Sequence, residues 1–194
     1  MSKRNFKRHK GKMKKITILI IVSLITLPNI AAAQSFVPHR SAEFTVTEPS
    51  GKNTSLSALR GKIVAMNFFF LQSNHCMRVA RMLNQLNLEL GPRGFQALGV
   101  VFDPPNVPES HGEFVGPVVT AFKLTYPIGY SSKADVDSYL GRQRNEVLNI
   151  PQIVVIDRAG MIRAASGVAG GDPRLEDEAR LRGLIEELLS EAHH

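Results

Sequence analysis

The stretch Ile63-Val-Ala-Met-Asn67-Phe-Phe-Phe70-Leu-Gln-Ser73-Asn-His75-Cys76-Met-Arg78 decides how this chain is read. Ile63 to Phe70 is an apolar run of the length and character of a strand buried on both faces of a sheet. Ser73 then has the side chain that best caps a helix start. Val79, Met82, Leu83, Leu86 and Leu90 follow at helical spacing, which predicts an amphipathic helix that Gly91-Pro92-Arg93-Gly94 stops. Cys76, the only cysteine of the chain, falls in the first turn of that helix. One thiol cannot close an internal disulfide, so Cys76 is a buried inert thiol, a reactive one, or half of a bridge between two chains in a disulfide-linked homodimer.

Outward from this core, Phe44 to Leu56 reads as two short strands around a Pro-Ser-Gly turn, and Ser57 to Lys62 as a helical turn ended by Gly61. On the other side, Phe95 to Asp103 is a second buried strand, broken by Pro104-Pro105. A helix is predicted over Val115 to Leu124, with Phe114, Val118 and Phe122 on one side. A short strand at Tyr126 to Tyr130 and a helix at Lys133 to Leu140 follow. Ile153–Asp157 and Met161–Ser166 form a hairpin around Asp157-Arg-Ala-Gly160. Gly167 to Pro173 is a flexible connector, and Leu175 to Glu191 is one amphipathic helix with Leu181, Leu184, Ile185, Leu188 and Leu189 inward. Strands and helices alternate first and a hairpin with a helix closes the chain, which predicts a three-layer α/β/α domain around a central mixed sheet.

The N-terminus reads as an address. Met1 to Lys15 carries eight Lys or Arg and no acid, Ile16 to Ile30 is apolar, and Ala31-Ala32-Ala33 is a small-residue cleavage site. Residues 1–33 are therefore expected to be a secretory signal peptide, 34–43 a linker and 44–190 the folded domain. Ile16 to Ala33 is about 18 residues, near the lower limit for crossing a bilayer, so an uncleaved anchor is the alternative, and only then would the protein be membrane-bound. Either way the domain is expected outside the cytoplasm, in the periplasm. Without the eight basic residues of the leader, 24 Lys+Arg against 17 Asp+Glu becomes 16 against 17. This nearly neutral domain has no basic stripe for nucleic acid, and about 160 residues suffice for one full core.

The order of motifs resembles the thioredoxin-like redoxins. Gly51-Lys52, Leu56, Leu59, Gly61-Lys62, Asn67-Phe68, Cys76, Ile150-Pro151, Ile156-Asp157 and Gly160 carry the resemblance, which spans Phe44 to Leu189. Within that fold the chain is similar to exported thiol-disulfide oxidoreductases and to the alkyl hydroperoxide reductase C / thiol-specific antioxidant group. The resemblance implies a thioredoxin-like fold, with Cys76 on the second cysteine of the Cys-x-x-Cys pair and Ser73 in place of the first. It sets His75 where oxidising members have a histidine between the cysteines. It sets Ile150-Pro151 at the proline, cis in the family, that flanks the substrate groove; by sequence this bond precedes an edge strand. Peroxiredoxins also carry Ser or Thr three residues before their cysteine, as Ser73 stands to Cys76. Their proline seven residues before it is replaced here by Phe69.

The chemistry open to one thiol follows. The helix N-terminus and the His75 imidazole favour a thiolate at Cys76, while burial opposes it. A reactive Cys76 attacks a peroxide, to be recovered by an external thiol reductant, or forms a mixed disulfide with client protein thiols. Ser73 and His75 tune it, and Pro151 shapes the groove. The rival expectation is a catalytically degenerate redoxin scaffold that binds extended peptides. Copper-carrying relatives use two cysteines and a distant histidine, and one of those cysteines is absent, so no metal is expected. No Gly-rich phosphate loop follows a strand, so no cofactor is expected. Asp103-Pro104-Pro105 and the loop to Glu113 border the groove without an assigned role, and Asp157 reads as a turn residue.

Overall fold

The computed structural model describes residues 38–105, 107–142, 149–167 and 171–191; the proposed signal peptide lies outside them. The elements run β1 (His39–Arg40), β2 (Thr45–Thr47), β3 (Asn53–Ser55), β4 (Ile63–Phe69), α1 (Asn74–Leu90), β5 (Phe95–Val101), α2 (Val115–Ala121), β6 (Ile128–Tyr130), α3 (Lys133–Tyr139), β7 (Gln152–Ile156), β8 (Met161–Ala165) and α4 (Glu178–Ser190). The strands join one sheet in the order β1-β8-β7-β4-β5-β6-β2-β3. β4, β5 and β6 are parallel, and β7, β8 and the β2–β3 hairpin run against their neighbours. The sheet is mixed, as the alternation of elements predicts.

All seven residues of β4 are buried, because the strand is covered on both faces. Ile63, Ala65 and Phe69 share one core with Leu83 and Leu86 of α1, Val115 of α2, and Leu181 and Ile185 of α4. Val64, Met66 and Phe68 share the opposite core with Val136 of α3 and with Phe44, Leu56 and Leu59. A side-chain period of two thus makes one apolar run serve two layers. Gly160 closes the β7–β8 turn at a φ of 82°, in the left-handed region where other residues are strained.

Three expectations change. The predicted helix over Leu175–Glu191 is divided: a 3-10 turn, Pro173–Glu176, is followed by α4, which Asp177 caps by accepting from the Arg180 amide at 3.0 Å. A good capping side chain inside an apolar periodicity ends one element and starts the next. β7 is no edge strand, since it pairs with both β4 and β8. His39–Arg40, inside the segment read as a linker, pairs with β8, and Ser41 is buried. Phe114 and Phe122, beside α2, are exposed; only Val115 of that helix is buried, and the Arg81 guanidinium lies 5.2 Å from the centre of the Phe122 ring.

Candidate active site

β4 ends at Phe69, and after four intervening residues α1 begins at Asn74. The first amides of a helix have no partner within it. Here Ser73, extended at φ −94°, ψ 116°, supplies one: its Oγ accepts from the Cys76 amide at 3.3 Å, while its carbonyl accepts from the Met77 amide at 3.0 Å. The capping role read for Ser73 is therefore also what places Cys76. The thiol lies in the first helical turn at 0% exposure, within the core that α1 and α4 share.

His75 stands between them on the same turn with its side chain 47% exposed, and Nε2 lies 2.8 Å from Oε2 of Glu176. Glu176 belongs to the 3-10 turn before α4. No sequence signal pointed to it, because the two residues meet only through packing of the C-terminal segment against α1.

The Ile150–Pro151 peptide bond is cis, as the resemblance implies. Gln152 pairs with Phe68, so Pro151 stands level with the end of β4, from which the chain leads to Ser73. Pro151 is buried, and Ile150, half-buried, packs against both cores. Ser73, His75 and Cys76 thus share one turn, and Ile150–Pro151 comes to the same end of the sheet from the antiparallel strand.

The parallel neighbour β5 delivers Asp103 to that end as well. Its carboxylate accepts from the Ser110 amide at 2.7 Å, the Ser110 hydroxyl at 2.9 Å and the Tyr130 hydroxyl at 3.1 Å. Burial first, and the Asp103 carboxylate second, push the Tyr130 phenol up to about 12. The loop to which sequence assigned no role is thus folded back on its own strand. Beyond it a cleft of about 620 Å³, lined by Glu48, His111, Glu113 and Tyr130 among others, opens between the β2–β3 turn and α2; Cys76 is not part of its wall.

Below the site, Asn67 is buried in β4 beside the core-facing Tyr126. The carboxamide eases ionisation of the Tyr126 phenol, which burial pushes up. Yet neither of its polar atoms closes a hydrogen bond of proper geometry; the Tyr126 hydroxyl donates to the Ala80 carbonyl at 3.3 Å. Among the described residues no group of three His, Cys, Asp or Glu could hold a metal ion, and no helix is long and apolar enough to cross a membrane.

The AhpC/TSA family model matches residues 37–165. No curated protein matches the chain. Among solved structures, a candidate protein disulfide isomerase of Bacteroides thetaiotaomicron is similar, at 27% identity and a TM-score of 0.63 over 83% of this chain and 94% of that one. A thiol:disulfide interchange protein of the thioredoxin family from Chlorobium tepidum is 19% identical with a TM-score of 0.62, over 80% of this chain and 99% of that one. A secreted disulfide oxidoreductase of Mycobacterium tuberculosis is 16% identical with a TM-score of 0.56, over 75% and 96%. The latter two likenesses carry the fold alone: it is thioredoxin-like.

Proposed function

Because this chain belongs to the AhpC/TSA family and has a thioredoxin-like fold, we propose that it is an exported thiol oxidoreductase that works through Cys76 alone on the thiols and disulfides of client proteins. The observation that carries this reading is the placement of the only thiol at the capped start of α1, at the sheet end where the cis Ile150–Pro151 bond lies. Export rests on the basic, apolar and small-residue sequence of residues 1–33, and places the protein in the periplasm.

The step balances with one protein thiol. The Cys76 thiolate attacks a client disulfide; the client S–S bond breaks, a Cys76–client disulfide forms, and the departing client thiolate takes up a proton. An external thiol then attacks the mixed disulfide, returning Cys76 and leaving the client disulfide-bonded to the reductant. With a peroxide in place of the disulfide, Cys76 becomes a sulfenic acid and the peroxide an alcohol; two external thiols then restore the cysteine, yielding their own disulfide and water. Ser73 caps the turn that presents the thiol, His75 flanks it, and Pro151 with Ile150 borders the client.

The test is to incubate the folded domain with a disulfide-bonded peptide and look for a Cys76 adduct that dithiothreitol releases and Cys76→Ala abolishes. A protein that forms no adduct while folded would sink the oxidoreductase reading. A second reading draws on the full burial of Cys76: a scaffold that docks extended peptides beside Pro151 without catalysis. Peptide binding that persists unchanged in Cys76→Ala would favour it.

A further inference from the structure

His75 is the second residue of α1 and directly precedes Cys76, and its Nε2 is 2.8 Å from a Glu176 carboxylate oxygen. That carboxylate is delivered by a turn anchored on three sides. Leu175, beside it, is fully buried in the core that α1 and α4 share. Asp172 opens the turn: it accepts from the Arg174 amide at 3.0 Å and binds Arg174 Nε at 3.0 Å and Arg180 Nε at 2.6 Å. Asp177 closes it as the cap of α4. A contact between two surface side chains normally loses side-chain entropy at both ends; here the backbone that carries Glu176 is already fixed, so less is lost.

The bridge is within reach of solvent, at 47% and 28% side-chain exposure, while the thiol next to it is at 0%. A thiol so enclosed reacts only when the structure around it opens locally. The bridge restrains the residue adjacent to Cys76 in the first turn of α1. It joins two elements with no covalent link nearby, so it acts on the opening rather than on the helix as a whole.

We infer that Glu176 is a positioning residue of the Cys76 site. Through His75 it ties the first turn of α1 to the Pro173–Glu176 turn and sets how often the buried thiol meets an incoming disulfide. This rests on the reading of Cys76 as the reacting group.

The experiment is native-state alkylation of Cys76 by iodoacetamide in the folded protein and in Glu176→Ala, His75→Ala, the double variant and Glu176→Gln, with the thermal midpoint of each. Glu176→Ala and His75→Ala are each expected to alkylate about two- to fivefold faster, the factor that one partly exposed hydrogen bond carries. The double variant should be no faster than either single one, because both remove the same bridge. Glu176→Gln keeps an acceptor at the same reach and should recover most of the wild-type rate. Midpoints should shift by no more than about 3 °C. An unchanged or slower rate in Glu176→Ala, multiplicative effects in the double variant, or no alkylation of any folded variant would each overturn the inference. Alkylation reads the access and thiolate character of Cys76, not its exchange with a disulfide. A Cys76 that behaves as expected here but never exchanges with a disulfide would instead overturn the oxidoreductase reading.

Discussion

The Ser73 hydroxyl accepts a hydrogen bond from the Cys76 amide at 3.3 Å, so the residue standing where a first cysteine would be is the cap of the helix that holds the second. That contact folds the side chain of residue 73 back over the turn that carries Cys76, and a disulfide needs two such neighbouring side chains. Ser73→Cys is therefore expected to form an intramolecular disulfide on mild oxidation. Intact mass would show it as a loss of two hydrogens and of both alkylatable thiols. If both cysteines still alkylate after oxidation, the turn is not shaped as described. The reduced variant should be less stable than wild type by about 0.5–2 kcal/mol, the worth of the lost cap.

Asn67 offers a second test. Its carboxamide is at 0% exposure and closes no hydrogen bond of proper geometry. A buried polar group without partners costs what its desolvation costs. Asn67→Leu should leave stability within about 1 kcal/mol of wild type or raise it, whereas Phe68→Ala, next to it on the other face, should cost about 3–5 kcal/mol. Chemical denaturation measures both. A loss of more than about 2 kcal/mol on Asn67→Leu would show that the amide is paired.

The chain's three tyrosines should all titrate late. Burial pushes Tyr139 up to about 12, with the Glu43 charge adding to it and the Ser41 hydroxyl opposing it. Tyr130 reaches about 12 through burial and Asp103, and Tyr126 is displaced upward by burial. Each folded value exceeds the unfolded value of 10.0. The unfolded chain therefore loses protons first, and the tyrosines' contribution to stability, complete below pH 10, is lost as pH rises toward 12. Ultraviolet titration should show little tyrosinate at pH 10 in the folded protein and a full signal in denaturant. An ordinary tyrosinate curve for the native protein would contradict the packing of Tyr126 and Tyr139.

At the acid end the informative group is Asp172. Arg174 first, against the cost of burial and with help from Arg180, holds its carboxyl down at about 2, below the usual 3.8. A depressed carboxylate contributes stability above its unfolded value and loses it as pH falls through the folded one. Asp172→Ala should cost about 1 kcal/mol at neutral pH through the lost cap. The gap to wild type should narrow as pH falls from 3.8 toward 2. A gap that stays constant across that window would mean the arginines contribute nothing through charge.

Much of the fold was legible because it rests on local pattern. The apolar run at Ile63–Phe70, the capping side chain at Ser73 and the helical spacing through Leu90 each report a short-range constraint, and β4 and α1 follow them closely. The division of Leu175–Glu191 was harder to see. Its apolar spacing continues through Asp177, and a cap is recognisable only once the backbone has left the helix. Helical spacing likewise names a face without saying whether another element covers it, and Phe114 and Phe122 stay exposed.

The residues of the candidate site separate in the same way. Sequence alone determined that there is one thiol, that no internal disulfide is open to it, and that it falls within the first turn of a helix after a buried strand. These follow from composition and from spacing along a single segment. Only the tertiary structure decided that Cys76 is fully enclosed, that Pro151 stands level with the end of β4 beside an interior strand, and that Glu176 reaches His75. Burial and long-range pairing are set by how layers pack, and packing brings together residues whose separation along the chain carries no record of their meeting.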